Sequence, residues 1–195
     1  MIDLGTVARL LLYPEESFED AAPVAANRHV AAFLEATRGV PLERLRDDYI
    51  ATFDFDKRTN LYLTYHLYGD GRRRGIELVR LKRRFREAGL ELDDGELPDF
   101  LPVLLEFAEL APELGLPVLA GLRGSIELIR AGLHERGSAY AYLLDAVAGA
   151  LPALTRRQAA AVERLAVEGP PTELVGLDSF TPPELEPFLA GRSAT

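Results

Sequence analysis

The chain of 195 residues contains no cysteine, one methionine and three histidines. Without cysteine there are no disulfides, thiolate metal sites, iron–sulfur clusters or cysteine nucleophiles. His29, His66 and His134 are scattered, and no two stand at metal-ligand spacing, so no metal site is expected. Long apolar runs are also missing. The longest, such as VLLEFAELA, fall far short of the about 20 residues that span a bilayer, and no membrane insertion is expected. The opening stretch MIDLGTVARLLLYPEE has neither a basic leader nor a small-residue cleavage site. It does not read as a signal peptide, and a cytoplasmic location is expected. No internal repeat is found.

An apolar fraction of 48% and a mean hydropathy of −0.01 describe a globular chain able to build one sizeable core. Its charge is uneven. The net value is −9, yet residues 57–86 hold ten basic residues against two acidic ones, or +8, and the remainder is −17. Such a surface repels a polyanion everywhere except along one stripe, so nucleic acid is not an expected partner.

The dominant period is helical. Leu4, Val7, Ala8 and Leu11 share a face that ends at Tyr13-Pro14. Ser17 with Asp20 offers a weakened capping box for a helix running to Arg38, with Gly39 as its stop. Pro41 suits the first turn of a third helix, striped by Leu42, Leu45, Tyr49 and Phe53. LYLTYHLY has strand-favouring residues but helical spacing, and is read as helix. Asp70 is the expected cap of the next helix, to about Ala88, with a seam of Gly75, Leu78, Leu81 or Lys82, Phe85 and Ala88. Further helices are expected in ELPDFLPVLLEFAELA (Pro98 and Pro102 in or near its first turn), PVLAGLRGSIELIRAGLHER, SAYAYLLDAVAGAL and TRRQAAAVERLAV. The expected architecture is all-α, a single globular domain of about eight helices over 1–168, with a Pro-rich acidic tail over 169–195.

Three constellations stand out. Arg72, Arg73 and Arg74 sit at a helix start, where positive charge opposes the macrodipole by about 0.3–1 kcal/mol each. They are either paired internally, for instance with Asp54, Asp56 or Glu77, or they form a docking patch. The loop GDGRRRG matches neither phosphate-loop spacing, although a nucleotide-binding enzyme using it remains the alternative reading. His66, among Tyr62, Tyr65 and Tyr68, reads as a packing residue or a modulator of binding. GELPDFLP holds Glu96 and Asp99 in a turn stiffened by Pro98, as either a helix cap or an acidic rim for a basic peptide.

TFDFDKRTNLYLTYHLYGDGRRRG, followed by ELPDFLPVLLEF in the same order and separation, resembles the NarJ-type assembly chaperones of respiratory nitrate reductase. These are a branch of the TorD-like molybdoenzyme chaperones. LLYPEESF, with Leu11, Leu12, Tyr13, Pro14 and Phe18, fits as well, and the resemblance covers roughly residues 4–165. It implies an all-helical, non-catalytic chaperone with no cofactor of its own. Its partner would be the apo catalytic subunit of nitrate reductase, bound through an N-terminal leader-like peptide and its folded body, with a related molybdoenzyme as the alternative client. The chaperone would hold that subunit while the molybdenum cofactor is inserted and before membrane attachment. The family signature falls on Asp54, Arg58, Leu61, Tyr62, Tyr65, Gly69, Asp70, Arg72, Arg74, Gly75, Glu96, Leu97, Pro98, Asp99 and Leu101. Phe100 stands where related chaperones carry histidine, so no role of that histidine transfers.

On this reading the client peptide is an amphipathic helix with basic residues. Tyr62, Tyr65, His66, Pro98 and Leu101 would line its groove, and Glu96 and Asp99 would hold its charges. Asp54, Arg58, Gly69, Asp70, Arg72, Arg74 and Gly75 would be structural or docking positions. A monomer is expected, and no catalytic residue.

Overall fold

A computed structural model describes residues 2–16, 27–93 and 95–169. Chain order gives α1 (Leu4–Leu10), α2 (Arg28–Thr37), α3 (Leu42–Tyr49), α4 (Leu63–Tyr68), α5 (Arg72–Glu87), α6 (Leu101–Leu110), α7 (Pro112–Gly121), α8 (Arg123–Glu135), α9 (Tyr140–Ala150) and α10 (Arg156–Glu168). A π-turn over Ile50–Asp54 prolongs α3. The described residues are therefore all-α, as the sequence and its TorD-like resemblance imply.

Among the described residues ten helices replace the expected eight or so, because the stretch after Pro112 breaks in two. Leu122 takes φ −94° and ψ 10°, and α7 ends there. Gly121 on one side and Gly124 on the other weaken helix continuity. One cap also differs from expectation. Gly71, which has no side chain to cap with, precedes α5, while Asp70 turns to Arg74 instead. α6 begins at Leu101, leaving Pro98 in the preceding turn and Pro102 in the first turn. Gly75 is exposed, not part of the α5 seam, which is Leu81 and Phe85. The expected cap at Ser17, Phe18 and the tail beyond Gly169 lie outside the described residues; α2 itself begins at Arg28, where the Asn27 side-chain oxygen accepts from the His29 amide at 2.8 Å.

α1 opens on Asp3, whose carboxylate accepts from the Thr6 amide at 2.9 Å, and buries Leu4, Val7, Ala8 and Leu10. It packs on α6, which packs on α7, while α8 and α2 pack on α9. Phe33, Tyr49, Phe53 and Tyr140 form an aromatic cluster where α2, α3, the π-turn and α9 meet. α5 buries Leu81 and Phe85, and the Phe85 ring stacks on Phe107 of α6 with centres 4.2 Å apart.

One β-bridge, Tyr62 with Phe100, ties the two signature blocks together. The Leu63 amide donates to the Asp99 carbonyl at 2.9 Å, and the Leu101 amide to the Leu61 carbonyl at 2.8 Å. The strand-like residues of LYLTYHLY are thus used at one rung, after which the chain turns helical.

Candidate functional site

The bridge brings most of the expected residues into one neighbourhood, though not as a rim. Asp99 has no solvent exposure. Its Oδ2 accepts from Thr64 Oγ1 at 2.5 Å and from Arg74 Nη2 at 3.4 Å. Arg74 also donates to Asp70 Oδ1 at 3.3 Å, and its guanidinium lies 5.7 Å from the Tyr62 ring centre and 6.0 Å from that of Tyr65. The expectation that Asp99 holds a client's basic residue from the surface is therefore corrected. The partner it has is Arg74, from inside the chain. Arg74 itself is braced rather than offered.

Tyr62 keeps about a third of its surface and stacks on Phe100, with ring centres 5.3 Å apart. Burial first, then the Asp99 carboxylate, raise its phenol above the ordinary value. His66 is buried, with Nε2 2.9 Å from the Asn60 carbonyl oxygen, and burial lowers its proton affinity. Leu101 and Pro98 face inward, whereas Glu96 is exposed on the turn. Gly69 closes α4 at φ +60°, a left-handed conformation that favours glycine. Asp54 is exposed, and Arg58 reaches Asp56 and Glu135 at the far end of α8. Neither joins the cluster around Asp99. Arg72 and Gly75 lie on the exposed part of the first turns of α5.

Beside this cluster a cleft of about 530 Å³ separates α4 and α5 from α7. Leu67 and Tyr68 of α4, Leu81 of α5, and Pro117, Val118 and Leu122 of the α7 side form its apolar surface. Glu77, Arg80, Arg83, Arg84 and Glu87 form a charged edge along α5. Arg80 donates to Glu77 at 2.7 Å, and Arg83 and Arg84 to Glu87 at 2.9 and 3.1 Å. The cleft has the size and the apolar-with-polar-edge make-up of a binding site for a few anchor side chains. The sequence reading missed its α7 wall. The signal lay in LGLPVLAGL: Pro117 inside a helix lacks an amide donor, and Gly121 presents no side chain to fill the space.

The family model described as nitrate reductase delta subunit matches residues 19–145, from before α2 into α9, both signature blocks and the whole cleft included. The chain belongs to the nitrate reductase delta subunit family. The probable nitrate reductase molybdenum cofactor assembly chaperone NarJ of Bacillus subtilis is 34% identical over 162 residues, covering 77% of this chain and 88% of that protein. The nitrate reductase molybdenum cofactor assembly chaperone NarJ of Escherichia coli K12 is 33% identical over 164 residues, 74% of this chain and 67% of that one. The nitrate reductase-like protein NarX of Mycobacterium tuberculosis is 36% identical over 147 residues, 74% of this chain but 21% of that longer protein. Both NarJ relatives are named as chaperones rather than catalysts, in keeping with a non-enzymatic family member. Among the described residues no helix is long and apolar enough to cross a membrane, and no cluster of three or more potential metal ligands occurs. In this family member GDGRRRG is a helix entry, with Arg74 folded back onto Asp70 and Asp99.

Proposed function

We propose that this protein is an assembly chaperone for a nitrate reductase. It binds the apo catalytic subunit by an N-terminal, leader-like peptide and holds it until the molybdenum cofactor is in place, before the subunit joins its membrane partner. The observation that carries the reading is the apolar cleft between α4–α5 and α7, set inside the family-matched region. A helical peptide inserts a few apolar side chains against Leu81, Val118 and Leu122, and its polar side meets the charged edge of α5. Tyr62 stays at the surface and Glu96 is exposed nearby, so both extend the contact beyond the cleft. The Arg74–Asp99 pair keeps α5 seated so that the cleft has two fixed walls. The chaperone works as a monomer.

Calorimetric titration of the protein with the N-terminal peptide of the catalytic subunit tests this. Wild type should bind with measurable heat. Val118→Arg, at a half-buried wall position, should weaken binding at least about tenfold, or about 1.4 kcal/mol, without changing the helical circular dichroism. No heat with wild type removes the proposal, and equal affinity for the variant moves the peptide out of this cleft.

A further inference from the structure

The α7 wall of the cleft has little of its own to hold it in place. Only Gly115 and Leu119 of that helix are buried. Pro117 has no amide, so the Glu113 carbonyl lacks the donor that a helix supplies four residues on. Gly121 is exposed and has no side chain to pack. Ala120 stands in the last turn, where carbonyls run out of intrahelical donors. Yet Val118 and Leu122, two residues to either side of Ala120, both line the cleft.

The missing support comes from α10, which lies beyond the family-matched region. Gln158 Nε2 donates to the Ala120 carbonyl oxygen at 3.0 Å. The Oε1 of the same side chain accepts from the Thr155 amide at 3.0 Å, and Thr155 Oγ1 accepts from the Gln158 amide at 3.2 Å, which is the capping box of α10. One side-chain amide thus caps two helices. Its positive end meets the C-terminus of α7 and its negative end the N-terminus of α10, each the favourable sense for the helix dipole. α10 is itself fixed against α8: Leu165 is buried, and Val162 Cγ2 lies 3.3 Å from where a Cβ on Gly124 would stand. We infer that Gln158 is a positioning residue for the client cleft, a brace that fastens α7 to α10 so that the wall is set before the peptide arrives. The brace is independent of what the cleft binds; its effect on the client rests on the cleft being the client site. A wall in place only part of the time weakens the apparent affinity by that fraction.

Gln158→Glu and Gln158→Met keep the length of the side chain and remove the donor to Ala120. The carboxylate of the first still accepts from the Thr155 amide and suits the start of α10, so that helix stays capped. Backbone hydrogen exchange, read by mass spectrometry in fragments spanning α1, α7 and α9, follows the wall directly. The amides of Val118–Leu122 should exchange about fivefold faster in both variants than in wild type, the scale of one lost hydrogen bond, with α1 and α9 unchanged. Calorimetric titration with the N-terminal peptide of the catalytic subunit should then show binding weakened at least about threefold, and saturating peptide should slow the α7 amides of the variants again. Unchanged α7 exchange in both variants overturns the brace. An equal rise in α1 and α9 overturns it too, because that is general destabilisation. Faster α7 exchange with wild-type affinity refutes the positioning role. A wild type that binds no peptide sinks the client reading, and the exchange rates still decide whether α7 is braced.

Discussion

Replacing Gly115 by alanine should force α7 away from α6. A Cβ at this position would stand 2.5 Å from Ala108 Cα, 2.7 Å from its nitrogen and 2.9 Å from the Phe107 carbonyl carbon. Ordinary contact between carbons is about 3.5–4.0 Å, so the helices must separate by about 1 Å. All three obstacles are backbone, and none can rotate aside. Overpacking costs about 1–3 kcal/mol, and a wholly backbone clash belongs at the upper end. The better helix propensity of alanine returns about 1 kcal/mol. The net is a loss of about 2 kcal/mol, or about 4–8 °C in Tm for a chain of this size. Gly75→Ala is the internal control. It lies in α5 with nothing within 4 Å of its would-be Cβ, so the same substitution there should stabilise by about 0.5–1 kcal/mol. Thermal melts of the two variants and wild type decide the matter. A Gly115→Ala protein that melts at or above wild type refutes the close approach of α6 and α7.

Asp99→Ala leaves the half-buried Arg74 guanidinium without its inner partner and the Thr64 hydroxyl without its acceptor, and should cost about 3 kcal/mol in urea denaturation. Combined with Arg74→Ala, the loss should fall short of the sum of the two single losses by about 1 kcal/mol or more; additivity would show that the pair is not coupled. Burial lowers the proton affinity of His66, so unfolding takes up a proton in mild acid. The stability that its neutral ring confers is complete above the unfolded value of about 6.5 and declines as pH falls through it towards the folded value. Urea midpoints at pH 7.5 and 5.5 should therefore differ more for wild type than for His66→Gln, and equal differences would discard the assignment. Val118→Arg should change unfolding stability in urea by no more than about 0.5 kcal/mol while weakening client-peptide binding at least about tenfold, because Val118 stands on a cleft wall rather than in the fully buried core.

The all-α class was legible because long apolar stripes at three- and four-residue steps have few competing readings. Leu45, Tyr49 and Phe53 lie buried on one face, although the last falls in the π-turn. The break at Leu122 was harder, since glycine within a helix is only weakly disfavoured and tertiary packing decides whether the chain bends there. The signature residues were found together, but Asp99 was placed on the wrong side of the surface. Sequence marks a carboxylate beside proline as fixed. It does not say whether the fixed group faces water or an arginine from twenty-five positions earlier. For Arg74 the sequence left internal pairing and docking both open; it is paired internally, with Asp70 and Asp99, and clamped over Tyr62 and Tyr65. Pro117 and Gly121 marked an irregular α7, but that it walls a cleft was not legible, because a space between helices is a property of three elements, none of which carries it alone.

The rung between Tyr62 and Phe100 has a topological effect. Everything from α4 through the turn at Gly95 becomes a closed excursion, pinched at its neck by two backbone hydrogen bonds. A protease that nicks the exposed turn at Gly95 would open the loop but leave its neck fastened. The severed pieces would stay together as one folded particle and part only in denaturant.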